Sequence, residues 1–342
     1  MKKSLLALAV LGAFAGVASA QSTVTLFGVV DVSARSVKND GAGTRKTLST
    51  DGINSSRLGF RGTEDLGGGL SANFWLEGGL QPDDGTTSKL DFRRRSYVGL
   101  KGGFGEVQAG REYTPTFWNT TIFDPFGTNG IGSSINITHN VGQLTYIRAS
   151  NMINYLLPAL GGLYGQVMVA AGEGGGGKYV GGRIGFAAGP FDIAGAVGRQ
   201  DIVAGGSSKF EHANIAGSFD FGVAKVMAQY NNETVKSGTP DFKESRILLG
   251  VVAPLGQGEL HAAYTRTDEK SRLIGAVQTA NRDASQLAVG YNYFLSKRTA
   301  LYGTFSRLDN KLGSQFAIGG GPGVPTSGGN STGLEFGLRH SF

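Results

Sequence analysis

Apolar and polar residues alternate along most of this chain. In "TVTLFGVVDVSA" (23–34), Val24, Leu26, Val30, Val32 and Ala34 share one face, with Thr25, Asp31 and Ser33 on the other. "LSANFWLE" sets Leu70, Ala72, Phe74 and Leu76 against Ser71, Asn73 and Glu77. "QLAVGYNY" sets Leu287, Val289, Tyr291 and Tyr293 against Gln286, Ala288, Gly290 and Asn292. A period of two marks a strand with unlike faces. Helix caps followed by a 3.6-residue period are scarce, so the pattern predicts an all-β chain. Sixteen strand-like segments emerge, near 23–37, 53–65, 69–80, 90–101, 105–112, 142–157, 163–172, 178–188, 191–200, 209–219, 222–234, 243–253, 259–268, 284–294, 299–309 and 332–342.

The connections between them alternate in length. Short ones fall at 66–69, 102–105, 158–162, 188–190, 220–222, 254–258 and 295–298. Longer polar ones fall at 38–52, 81–89, 113–141, 201–208, 235–242, 269–283 and 310–331, with 173–177 an exception in length. Short turns on one side and long loops on the other are the layout of a transmembrane barrel. An even strand number brings both ends of the chain to one side, where the first strand can pair with the last and remove the sheet edges. A sandwich has no reason to sort its loops this way, and the ~40–45-residue repeat of a propeller is absent.

Composition refines this picture. The first twenty residues join Lys2 and Lys3, the apolar run "LLALAVLGAFAGVA" and Ala18-Ser19-Ala20. These are the three parts of a secretory signal peptide, so the mature chain is expected to begin at Gln21. Their removal takes the net charge from +6 to +4, too small an excess to argue for nucleic acid. With no cysteine, the chain relies on neither disulfides nor thiolate chemistry. Glycine supplies 57 of 342 residues, about 17% against a usual ~7%. Hydrophobic residues nevertheless make up 40% and are interleaved throughout, which excludes a disordered low-complexity chain. Beyond the signal peptide no apolar run approaches the ~20 residues of a membrane helix.

Two chemical signals carry little. "GEGGGGKY" (172–179) follows the phosphate-loop pattern until Tyr179 stands in place of Ser or Thr, so it lacks the magnesium-binding hydroxyl. The four histidines, His139, His212, His261 and His340, have no metal-ligand spacing, and no "GxSxG" nucleophile motif accompanies His261.

Several stretches carry a family likeness: "TLFGVVDV", "SSRLGFRGTEDLGGGLSANFWLE", "RRSYVGLKGGFGEVQAGREYTP", "DPFGTNGIG", "LSKRTALYG" and the terminal "GLRHSF". With them the chain resembles the Gram-negative general-diffusion porins, most closely the β-proteobacterial group with anion-selective members. The resemblance implies a sixteen-stranded antiparallel barrel over residues 21–342, a homotrimer in the outer membrane among lipid and lipopolysaccharide. Each subunit would hold its own water-filled pore for small anions and hydrophilic solutes, with no cofactor. It also implies that the loop at about 113–141, the longest connection at 29 residues, folds inward and narrows the channel. Phe342, closing the alternating strand "LEFGLRHSF", would be the signal read by the outer-membrane insertion machinery.

In such porins arginines on the pore wall face acids on the inward loop. Matched residue by residue, the wall positions fall on Arg57, Arg94 and Arg148. Alternation agrees: Arg57 and Arg61 face inward if Leu58 and Phe60 face out, and Arg148 faces inward if Ala149, Ile153 and Tyr155 face out. In "DFRRRSYVGL", Tyr97 lies opposite to Arg94, which places Arg94 in the pore and turns Arg93 and Arg95 outward. A bulge or strand end would admit Arg93 as a secondary pore residue, whereas Arg95 is expected at a subunit interface. The facing acids are Asp124 on the loop and Glu112 at its base. Three arginines against one or two carboxylates leave a net positive ring, which predicts anion preference. The alternatives are a substrate-specific porin and a barrel enzyme with Ser and His on its lipid face.

Overall fold

Seventeen antiparallel strands join into one continuous sheet in the computed structural model, which describes residues 23–86, 91–173, 177–202, 208–237, 241–271, 282–311 and 313–342. The expected signal peptide, residues 1–20, lies outside the described residues. The strands are β1 (Thr23–Asn39), β2 (Gly43–Thr50), β3 (Arg57–Gly67), β4 (Leu70–Gly79), β5 (Arg95–Gly102), β6 (Gly105–Tyr113), β7 (Arg148–Leu156), β8 (Leu163–Ala170) and β9 (Tyr179–Ala188). They continue as β10 (Phe191–Asp201), β11 (Lys209–Asp220), β12 (Lys225–Lys236), β13 (Phe242–Leu255), β14 (Gly258–Ser271), β15 (Arg282–Phe294), β16 (Thr299–Asn310) and β17 (Ser331–Ser341).

Sixteen staves make the barrel, because β2 and β3 are successive halves of one. The first half of β1 pairs with β3 (Thr23↔Thr63 to Val29↔Arg57) and its second half with β2 (Val32↔Thr50 to Asn39↔Gly43). This corrects the expected long connection at 38–52. The chain instead turns back directly after Asn39, where Gly41 (φ 80°) and Gly43 (φ 90°) take the left-handed conformation that a tight turn demands. The strand expected over 90–101 begins only at Arg95, and the one expected over 142–157 only at Arg148.

The barrel closes through β1 and β17, in register from Val29↔Ser341 to Asn39↔Ser331. Phe342 adds two backbone bonds to the seam: Gly28 N–H donates to its carbonyl and its own N–H to Gly28 O, each at 3.0 Å. Its ring lies so close over Gly28 that a Cβ there would fall 2.4 Å from a ring carbon, so glycine is what admits the ring.

The two faces of the sheet invert the usual order of a protein. Exposed apolar side chains such as Val98, Leu100, Ile153, Val167, Ile215, Leu249, Leu287 and Phe336 point outward. Their neighbours in sequence, among them Gln108, Asn154, Asn214, Gln229, Arg246 and Gln286, are buried toward the barrel axis. An apolar belt of this extent suits a bilayer.

Space inside is taken up by the 114–147 connection. It opens with α1 (Pro115–Ile122), where Pro at the first helical position costs no hydrogen bond. Asn119 Nδ2 donates to Ala194 O and to Asn214 Oδ1, both at 3.1 Å. Phe123 packs on Ala194 and Ala216, Phe126 on Ala263 and Ala288, and Ile131 on Val37, Leu308 and Ile318. These partners include inward residues of β1, β10, β11 and β14 to β16, so the connection crosses the barrel interior. Alanines at four of the contact points leave room for its aromatic rings.

Candidate functional site: a cavity lined by arginines

Three staves bring four cationic side chains to one side of the interior. Arg57 opens β3, Arg94 lies in the run just before β5, Arg95 opens β5, and Arg148 opens β7. All four line a cavity of about 860 Å³ bounded on its other side by α1 and the residues after it.

Two carboxylates divide the charge unevenly. Glu77 on β4 accepts from Arg94 Nε at 2.7 Å, lies 3.7 Å from Arg57 Nη1, and accepts from Trp75 Nε1 at 3.1 Å. Glu112 on β6 accepts from Arg95 Nε at 2.8 Å and Nη2 at 2.5 Å. Arg95 is also held over the Trp75 ring, 4.2 Å from its centroid. Arg148 has no carboxylate within 4 Å among the described residues. It stacks 4.4 Å over the Tyr113 ring and donates to the Tyr113 hydroxyl at 2.8 Å, and the same oxygen accepts from Arg94 at 3.2 Å. One phenol therefore links two guanidinium groups that would otherwise repel each other.

Arg93 and Arg95 fall the other way round from the expectation. Arg95 faces the cavity, Tyr97 packs inward against the buried cluster of Ala149, Met152, Met168, Ala170 and Tyr179, and Val98 and Leu100 occupy the outer face. Arg94 precedes the strand, where alternation no longer applies, and so it faces the cavity as well. Arg93 lies outside the cavity lining; its side chain is 66% exposed and pairs with Asp91 at 3.1 Å. Ala149, expected outside, is buried beside Met152, Met168 and Tyr179. The register slip between Gly110 and Glu112 and the positive φ of Asn151 break the strict alternation at this point.

The loop acid does not confront the arginines as a free charge. Asp124 is buried, and its carboxylate accepts from the backbone N–H groups of Phe126 (2.8 Å), Ser134 (3.0 Å) and Thr128 (3.3 Å). Burial pushes its carboxyl above the usual range, against the pull of these donors. On the far wall Glu259 and Arg339 contribute one charge of each sign. Four arginines against Glu77 and Glu112 leave an excess of two positive charges, or one if Asp124 is counted as ionised. His261 lies on this cavity and not on the outer face; its Nδ1 donates to Pro125 O at 2.8 Å.

A second cluster fixes the far end of the connection. Arg246 on β13, fully buried, lies 3.2 Å from Glu233 and 3.3 Å from Glu244 and donates to Tyr146 Oη at 2.9 Å. Thr138 and Asn140 donate to Glu233 at 3.1 and 2.8 Å.

The profile of the Gram-negative porin family matches residues 7–313. The chain belongs to the Gram-negative porin family. This porin is 39% identical over its whole length to outer membrane porin protein 32 of Delftia acidovorans, whose length it also covers in full. It is 28% identical, again over both full lengths, to the major outer membrane protein P.IB of Neisseria meningitidis serogroup B. Its fold matches that of the anion-selective porin from Comamonas acidovorans with a TM-score of 0.86, at 37% identity over 94% of this chain and all of that one.

Sequence reasoning missed Arg95, Glu77, Trp75 and Tyr113. For Glu77 the signal was available, since it shares the polar face of β4 with Ser71 and Asn73, and Trp75 sits between them. For Arg95 it was the pair Val98 and Leu100, which mark the outer face of β5 better than Tyr97 does.

Proposed function

We propose that this outer-membrane channel, which passes small hydrophilic solutes and ions by passive diffusion, favours anions at a constriction formed by Arg57, Arg94, Arg95 and Arg148. The observation that carries the reading is the imbalance of charge around the cavity, with Arg148 lacking any acid partner among the described residues. In a water-filled pore such groups stay ionised, and their joint field draws anions in and opposes cations. The inward connection supplies the opposite wall of the cavity and sets its width. The likeness to the porin from Comamonas acidovorans, itself anion-selective, supports the same sign here. The functional unit is a homotrimer in a membrane of lipid and lipopolysaccharide, reached after removal of residues 1–20.

The reversal potential across a salt gradient in a planar bilayer tests the reading. A sign corresponding to anion permeation is expected, with conductance rising in steps of three. Cation preference would overturn it.

A further inference from the structure

Where the inward connection borders the arginine cavity it carries Asn129-Gly130, the only Asn-Gly step in the sequence. The backbone nitrogen that follows an asparagine can attack its side-chain amide, and a glycine at that place removes the side chain that would obstruct the approach. Asn129 lines the cavity together with Ser55, and both are only partly buried, so water reaches the pair.

The contacts around the pair suit that reaction. Ser55 Oγ donates to Asn129 Oδ1 at 2.9 Å, which draws electrons from the side-chain carbonyl and leaves its carbon open to attack. The attacking group, Gly130 N–H, donates to no acceptor among the described residues. Glu335 Oε2, buried and without a hydrogen-bond partner among the described residues, lies 3.0 Å from where a Cβ on Gly130 would stand, an acceptor beside the amide for the proton it must lose. One contact has to break, the bond from Asn129 Nδ2 to Gly127 O at 2.7 Å. Gly130 cannot be exchanged for a less reactive neighbour. Its φ is +60°, and a Cβ there would fall 2.1 Å from Gly52 O, so the packing that demands glycine also keeps the reactive step in place.

We propose that Asn129 is a site of spontaneous deamidation, and that its conversion lowers the anion preference of the pore as the channel ages. Gly130 N bonds to Asn129 Cγ and closes a succinimide ring, while Nδ2 leaves as ammonia with the proton that Gly130 gave up. Water then opens the ring at either carbonyl, which yields aspartate or isoaspartate at position 129. The new carboxylate stands in the cavity that holds Arg57, Arg94, Arg95 and Arg148, and it cancels one unit of their positive excess. The effect on selectivity rests on the reading of that cavity as the constriction, whereas the chemistry at Asn129 does not.

Channel purified in detergent is held in warm, mildly alkaline buffer, beside the same protein denatured. Fragment mass spectra of the digested chain follow each asparagine, and reversal potentials in planar bilayers follow selectivity. In the folded channel Asn129 should convert ahead of Asn54 and Asn330, which precede serines, and Ser55→Ala should slow it severalfold. The anion-to-cation permeability ratio should fall in step with conversion, by about fourfold or more at completion for one charge roughly 6 Å from the ion path. Asn129→Asp should show the lowered ratio from the start. Asn129→Gln, whose longer side chain closes a larger ring more slowly, should hold its ratio throughout. Asn129 intact in the folded channel after an incubation that converts it in the denatured chain would overturn the proposal, and so would Asn129→Asp with the wild-type ratio. A wild-type channel that prefers cations before incubation would instead overturn the reading of the pore, with the conversion of Asn129 still decided by mass.

Discussion

Replacing Arg148 by Gln removes the arginine of the ring that has no carboxylate partner among the described residues, while Gln keeps a donor for the Tyr113 hydroxyl. An ion passing roughly 6 Å from the guanidinium feels about 0.7 kcal/mol at the dielectric constant of water, cut to about 0.4 kcal/mol by screening at 0.1 M salt. The sign reverses between anion and cation, so the ratio of their permeabilities responds to twice that energy, about 0.8 kcal/mol, or roughly fourfold. Where the cavity walls lower the effective dielectric constant to about 20, the same reasoning gives about 3 kcal/mol and a factor above one hundred. The expected fall in the anion-to-cation permeability ratio therefore starts at about fourfold, read from reversal potentials in a salt gradient. It should shrink further as ionic strength rises. Arg93→Gln removes the same formal charge from a side chain outside the cavity and should leave the ratio unchanged. Equal effects from the two variants, or none from Arg148→Gln, would refute the assignment of selectivity to this ring.

Other substitutions probe the same geometry. Glu77→Gln releases Arg57 and Arg94 from their shared acid and should raise anion preference, at a stability cost of about 1–3 kcal/mol seen in thermal unfolding in detergent. Asp124→Ala strands three backbone donors inside the connection and should cost about 1–3 kcal/mol, with noisier single-channel current as the loop loosens. Because burial raises the folded-state pKa of Asp124, its charged form is the disfavoured one, and its contribution to stability grows as pH falls through that value; the pH dependence should flatten in the alanine variant. Deleting Phe342 removes two seam hydrogen bonds and the ring over Gly28, and should lower the temperature at which the barrel loses its heat-modifiable mobility on gels.

The architecture could be read from the chain alone, because a barrel wall between lipid and water imposes a period of two on every stave. Leu70, Phe74 and Leu76 against Ser71, Asn73 and Glu77 could be sorted by polarity, and the same held for Leu334, Phe336 and Leu338 against Glu335 and Arg339. Three arginines of the cavity, Arg57, Arg94 and Arg148, also lay within reach, through the family likeness and the alternation around Arg57, whereas Arg95 was expected on the outer face. Where the strands begin and bend was beyond it. The first long loop turned out to be a tight turn, because whether "RKTLST" pairs with β1 depends on β1 being there to pair with. Arg94 and Arg95 both reach the cavity because β5 starts between them, a boundary set by pairing with Glu77 on the next stave and not by any local signal. Which carboxylate meets which arginine emerged only in the folded barrel: Glu77 with Arg57 and Arg94, Glu112 with Arg95, and none among the described residues with Arg148. That pairing sets the charge left for a passing ion. It depends on distances across several staves and an inward loop, which a linear pattern of faces does not contain.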